Sequence, residues 1–146
     1  MHRMKTNRSI PAATVIPVLV YPDVREAVAW LTEAFGFRER LQIGEAHRSQ
    51  MSVPGGGAVI AADVRGNKRP PREGESTSSV LVRVEDAHAH CDRARAHGAD
   101  VVDPPTDHVY GERQYTAVDP WGHVWTFSET LQDADPASWG GILREG

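Results

Sequence analysis

The sequence predicts an α+β fold built from two tandem βαβββ modules. Three observations carry that reading. Apolar, β-branched runs and one helix-period segment follow in the order strand, helix, strand, strand, strand. The same order starts again after a stretch rich in Gly, Pro, Arg and Glu. Letters recur with it: Val18-Leu19-Val20 returns as Val80-Leu81-Val82 and Gly36 as Gly98, both at an interval of 62 residues. A constant interval across a strand and a helix terminus points to duplicated units.

Residues 1–12 are polar and are expected to be loosely attached. The first module is read as 13–63. Its first strand is Thr14 to Tyr21, ended by Pro22 and Asp23. Asp23 is suited to capping a helix and Glu26 to its first turn, an acidic variant of the capping box. Val24, Val28, Leu31 and Phe35 then recur on one helical face, and Gly36 stops the helix. Trp30 lies off that stripe and is expected at an edge or subunit contact. Three strands follow, Phe37 to Ile43, His47 to Val53 and Ala58 to Asp63, separated by Gly44 and by Pro54-Gly55-Gly56-Gly57.

The linker is read as 64–77 and the second module as 78–130. Ser79 to Val84 is a strand, and Asp86 caps a helix that runs to about His97 and ends at Gly98. Ala99 to Val102 is a short strand closed by Pro104-Pro105. Arg113 to Val118 and His123 to Ser128 form a hairpin around Asp119-Pro120-Trp121-Gly122. The tail, 131–146, carries an isolated Trp139 followed by two glycines, and either lies over the domain or a partner or stays unstructured.

With 40% hydrophobic and 25% charged residues, the 146-residue chain has the composition of one globular domain. A net charge of -4, with basic residues scattered among acids, argues against nucleic acid as a partner. The single cysteine, Cys91, excludes an internal disulfide and a cysteine metal cluster and fits a reducing cytoplasm; its helix position predicts burial. Arg3, Lys5 and Arg8 are followed by no apolar run, and no segment approaches the ~20 apolar residues of a membrane span.

The last hairpin reads YTAVDPWGHVWTFSE from Tyr115 to Glu129, and the first strand and helix read VLVYPDVREAVAWLTEAFGF. Together, in this order, they resemble the vicinal oxygen chelate superfamily, the glyoxalase/bleomycin resistance protein/dioxygenase group, whose last hairpin commonly carries D-P-x-G-H-x-W. The resemblance spans roughly residues 14 to 130. It implies a cupped mixed sheet enclosing a small-molecule cavity, and a homodimer that completes it.

Metal-dependent members of the group hold one divalent ion with His, Glu or Gln on the first and last strands of the modules. Carried over one by one, those positions fall on Ile16, near Ala61, on Ser78 or Ser79, and on Thr126. Moving each by one residue reaches Pro17, Ile60, Ala62, Val80, Trp125 and Phe127. Aliphatic groups offer no lone pair and neutral hydroxyls bind such ions weakly, so no metal and no other cofactor is expected.

His88, His90 and His97 are expected on a solvated helix face, and His123 is expected to bond within its hairpin. His47 and His108 lie near possible cavity edges, and His2 falls in the loose start. Strand alternation turns Thr126 toward the cup and Trp125 and Phe127 under the helices. Tyr110, Arg113 and Tyr115 form a polar-aromatic stretch suited to a planar ligand and an anionic group. Arg48 and Gln50 share a strand face that either lines the cup or meets solvent, and Trp121 either covers a ligand or packs locally.

No nucleophile motif and no phosphate-cradling loop is present, and catalytic residues stay unassigned. The favoured function is metal-independent binding of a small organic molecule, of the drug-sequestering kind. The alternatives are a metal-dependent lyase, isomerase or dioxygenase, and a metal-free enzyme using His108, Glu112 or Tyr110 as acid or base.

Overall fold

A computed structural model describes residues 3–145; His2 lies outside the described residues. The first module comprises β1 (Val18–Val20), α1 (Val24–Phe35), β2 (Arg38–Ile43), β3 (Arg48–Ser52) and β4 (Ala58–Ala62). The second comprises β5 (Ser79–Arg83), α2 (Ala87–Ala96), β6 (Asp100–Asp107), β7 (Glu112–Val118) and β8 (Val124–Thr130). Each module forms its own four-stranded mixed sheet, in the orders β1-β4-β3-β2 and β5-β8-β7-β6. The first strand of each runs parallel to the fourth. The repeated order is the duplication that the 62-residue interval implies. No helix is long and apolar enough to cross a membrane among the described residues.

The helix ends follow from local chemistry. The Asp23 carboxylate accepts from Glu26 N at 3.0 Å, and Gly36 closes α1 in the left-handed region at φ 77. Asp86 repeats the first device, accepting from Ala89 N at 3.0 Å. Glu129 on β8 adds a second acceptor, taking Ala87 N at 2.8 Å, so sheet and helix share one terminus.

Two strands depart from their expected bounds by more than about two residues. β1 shortens to three residues: Pro17 before it has no N–H to give the ladder, although its carbonyl still accepts from Ile60 N at 2.9 Å. β6 extends through Pro104 and Pro105 to Asp107 instead of stopping before them. β6 is the outer strand of its sheet, where a missing N–H costs no ladder bond, and its register shifts between Val101 and Asp103 and again before Thr106.

The N-terminal segment is also tied more closely than its polar composition suggests. Pro11 is buried, and the carbonyls of Arg8 and Ser9 accept from Arg40 and Gln50 at 3.1 and 2.8 Å. In the linker, Pro71 O lies 3.3 Å from where a Cβ of Gly122 would stand, so the linker packs on the hairpin turn.

The core lies between the two sheets on their helix-bearing faces. Leu31, Phe35, Phe37, Met51, Cys91, Tyr115, Trp125 and Phe127 are all buried there. Phe35 joins the modules: its ring stands 5.4 Å from Trp125, 4.7 Å from Phe127 and 5.9 Å from His90. Trp30 joins them too, donating from Nε1 to His97 O at 2.7 Å and packing on Trp121. It is thus a contact between modules.

His90 does not sit on a solvated helix face. Its Nε2 meets Phe35 O at 3.2 Å, and Nδ1 meets the Tyr115 hydroxyl. A carbonyl can only accept, so Nε2 carries the proton and Nδ1 accepts from Tyr115 in the neutral ring. Burial pushes the His90 pKa down from 6.5, against the opposing pull of the Phe35 carbonyl. On acidification the unfolded chain therefore takes up this proton first. His90 contributes stability above about pH 6.5 that is lost as the pH falls through its depressed folded value. Thermal denaturation between pH 7.5 and 5 is expected to show a fall in stability that His90→Gln flattens. Equal slopes in the two proteins would refute the assignment.

Candidate functional site

Strand alternation divides each sheet into a helix-bearing face and an open face. In the second module Tyr115, Trp125 and Phe127 point to the helices, leaving Gln114, Thr116, Thr126 and Ser128 on the other side. This open face carries a directed chain of hydrogen bonds. Tyr110 Oη donates to Gln114 Oε1 at 3.0 Å, and Gln114 Nε2 donates to Ser128 Oγ at 3.0 Å. Ser128 Oγ then donates to Glu112 Oε1 at 2.7 Å. Beside it, the hydroxyls of Thr116 and Thr126 bond at 2.9 Å, and Arg83 donates to Thr130 Oγ1 at 3.0 Å. Leu81, 58% exposed, gives the same face an apolar spot.

The open face of the first module is different. Gln50, almost fully buried, donates to Ser9 O and accepts from Arg40. Arg48 and Arg38 share that side through their pairing with Ala62 and Ser52. Val18, Ile60 and Ala62 complete it. The first module's face thus carries three arginines and no strand carboxylate, whereas the second carries Asp103 and Glu112.

Of the residues singled out in the sequence, Arg48 and Gln50 lie on the first open face, and Tyr110 and Thr126 lie on or at the rim of the second. The other three lie elsewhere. Arg113 turns to the helix-bearing side, where it clamps Asp107 at 2.6 and 3.1 Å and approaches Glu129. That pairing holds the Asp107 carboxyl below its usual range. Tyr115 is a core residue, its pKa raised by burial and its hydroxyl committed to His90. Trp121 packs edge-on against Tyr21 at 5.3 Å, on the helix side. Gln114 and Thr116 were missed, although the alternation of Glu112, Gln114 and Thr116 with Tyr115 and Ala117 is a period-two signal.

The histidines separate in the same way. His123 reaches out of its hairpin, its Nε2 meeting Val20 O in the other module at 2.7 Å. His47 bonds the Asp63 carboxylate at 3.1 Å. His108 stacks flat on Tyr110, with centroids 5.0 Å apart.

At the positions where metal-dependent relatives keep ligands, the side chains do not suit a divalent ion. Ala61 faces the helices, so its neighbours Ile60 and Ala62 take the open-face position on β4. With Ile16, Ser79 and Thr126 they present hydrocarbon and two hydroxyls, and the Thr126 hydroxyl is already bonded. Among the described residues no group of three or more His, Cys, Asp or Glu is placed to hold an ion.

Between the modules a cleft of about 690 Å³ is lined by Phe35, Phe37, Pro54, Arg83, His90 and Glu129. It opens at the end of β5 and β8 and is large enough for a small organic molecule.

Two βαβββ modules, each with a helix-covered face and an open face, define a duplicated α+β scaffold. The chain belongs to the Glyoxalase/Bleomycin resistance protein/Dioxygenase superfamily, whose model matches residues 13–127. It is similar to TioX from Micromonospora sp. ML1, with 34% identity and a TM-score of 0.68 over 82% of this chain and 100% of that one. A glyoxalase/bleomycin resistance protein/dioxygenase from Nocardioides shares the fold at 19% identity and a TM-score of 0.64, over 92% of this chain and 89% of that one. An uncharacterized protein of Mycobacterium tuberculosis is 26% identical over 128 residues, 82% of this chain and 75% of that protein.

Proposed function

We propose that this protein binds a small organic molecule on the open face of its second module, through shape and hydrogen bonds and without the metal of its metal-dependent relatives. One observation carries the reading. The ion-binding positions hold aliphatic and hydroxyl side chains, while the same face keeps an ordered chain from Tyr110 to Glu112. Such a chain fixes the direction of each donor, which suits recognition of a ligand edge. A drug-sequestering role follows if binding is tight and no turnover accompanies it.

A homodimer fits the same reading. The arginine-bearing face of one copy and the acidic face of another are electrostatically complementary, so a second copy closes what one chain leaves open. The buried thiol of Cys91 is in keeping with a cytoplasmic setting.

A ligand-library thermal-shift screen with and without chelator tests the proposal. An aromatic or polycyclic compound at ~100 times its Kd is expected to add about 2.7 kcal/mol of stability. Bound ligand should saturate at one per site, and the stability gain should be unchanged by chelator. Stoichiometric Ni, Zn, Fe or Mn held by several side chains, or turnover that chelator abolishes, would overturn it in favour of a lyase, isomerase or dioxygenase. A metal-free enzyme is the second reading, favoured by the closeness of His108, Tyr110 and Glu112. Turnover that Glu112→Gln leaves unchanged would remove it.

A further inference from the structure

The C-terminal segment lies beyond the residues matched by the family model, yet it folds back onto the second module. Leu131 N donates to Gly111 O at 2.8 Å. Gly111 has φ 84, and Gln132 O stands only 2.5 Å from where its Cβ would be, so only glycine admits this approach. Asp135 then caps a single 3-10 turn, Pro136–Trp139, accepting from Ala137 N at 3.1 Å. Gly141 N returns to Pro136 O at 2.8 Å.

The turn sets Trp139 against Tyr110, with centroids 5.6 Å apart and planes at 62°. The Tyr110 ring is also stacked on His108. Trp139 nevertheless stays 42% exposed, and the bonds of its turn, made by Ala137, Ser138 and Gly141, leave its Nε1 out. An ordered turn that holds a large indole partly in water gains little from burial. It gains if a flat molecule covers the ring.

Tyr110 fixes where that molecule lies. Its hydroxyl opens the chain that ends on Glu112, and His108 N donates to Glu112 O at 2.8 Å, so the aromatic group and the carboxylate share one end of the open face. Oε1 of Glu112 takes Ser128, while Oε2 has no hydrogen bond or ion pair to a described residue.

We propose that Trp139 and Tyr110 form an aromatic wall of the second module's site, and that the ligand is a planar aromatic compound with an N–H donor or positive charge directed at Glu112. This rests on the binding reading above and adds the ligand class and a wall supplied by the tail.

Titration calorimetry with 9-aminoacridine, and with cyclohexylamine as a charged but non-planar control, tests it. Wild-type protein is expected to bind the acridine with quenching of indole fluorescence and to ignore cyclohexylamine. Loss of one aromatic contact is expected to weaken binding about tenfold in Trp139→Ala, with Trp139→Phe close to wild type. Circular dichroism should show both variants folded, because the indole is outside the core. Equal affinity in wild type and Trp139→Ala sinks the wall and leaves the binding reading standing. Failure to bind the acridine, or equal binding of cyclohexylamine, sinks the ligand class; the binding reading falls with it only if the wider screen is also empty. A ligand-free change in oligomeric state in Trp139→Ala would also overturn the proposal, by showing that a second copy covers the ring.

Discussion

Asp119→Ala is expected to lower the unfolding free energy by about 3–5 kcal/mol, one of the two largest losses available to a single substitution here. The carboxylate is 3% exposed and accepts four hydrogen bonds. Trp121 N and His123 N reach Oδ1 at 3.0 Å each, and Tyr21 Oη and Trp125 Nε1 reach Oδ2 at 2.8 and 3.2 Å. Tyr21 belongs to the first module, so the group is both a turn and a clasp between modules. Alanine leaves four donors unanswered in a water-poor site. At roughly 3 °C per kcal/mol for a chain of this size, the melting temperature should drop by about 10–15 °C. Asp119→Asn should fall between, since one amide edge would face the indole N–H donor to donor while the Tyr21 hydroxyl can turn. A drop under 3 °C for alanine would mean the clasp contributes little.

Phe35→Ala is expected to cost a further class of energy, about 3–5 kcal/mol from lost burial and a cavity that rigid neighbours cannot fill. The ring touches Trp30 and Phe37 on its own side and His90, Trp125 and Phe127 on the other. Its loss should therefore loosen the modules from each other as well as weaken each. Urea unfolding followed separately at Trp30 and at Trp121 and Trp125, by single-tryptophan variants, is expected to give one midpoint in the parent background and separated midpoints with Phe35→Ala. A single transition shifted by less than about 1.5 kcal/mol would show that other contacts couple the modules.

Elements set by neighbouring residues were legible in the sequence. α1 begins and ends at Asp23 and Gly36, because capping and left-handed backbone are local matters. β6 was not, since whether a proline ends a strand depends on whether that strand lies at the sheet edge, which only the assembled order decides. His90 and Trp30 were misplaced for a related reason. Each has an apolar body and a polar atom, and the partners of those atoms, Phe35 O and His97 O, are 55 and 67 residues away. The site was half legible. The D-P-x-G-H-x-W run correctly set Thr126 on the open face, but its own letters serve the clasp rather than a ligand. The hairpin register pairs Val118 with Val124 and hence Tyr115 with Phe127. That register moves Tyr115 and Arg113 to the covered side and brings Gln114 and Ser128 forward.

The clasp at Asp119 and the ring of Phe35 both act on the helix-bearing side of the sheets. Leu81, Thr116 and Thr126 look the other way, next in sequence to the core residues Val82, Tyr115, Trp125 and Phe127. Residues that hold the fold and residues that form the open face are therefore inscribed on interleaved positions of one chain, and a change in either set need not disturb the other. A substitution confined to the open face is therefore expected to leave the melting temperature nearly unchanged.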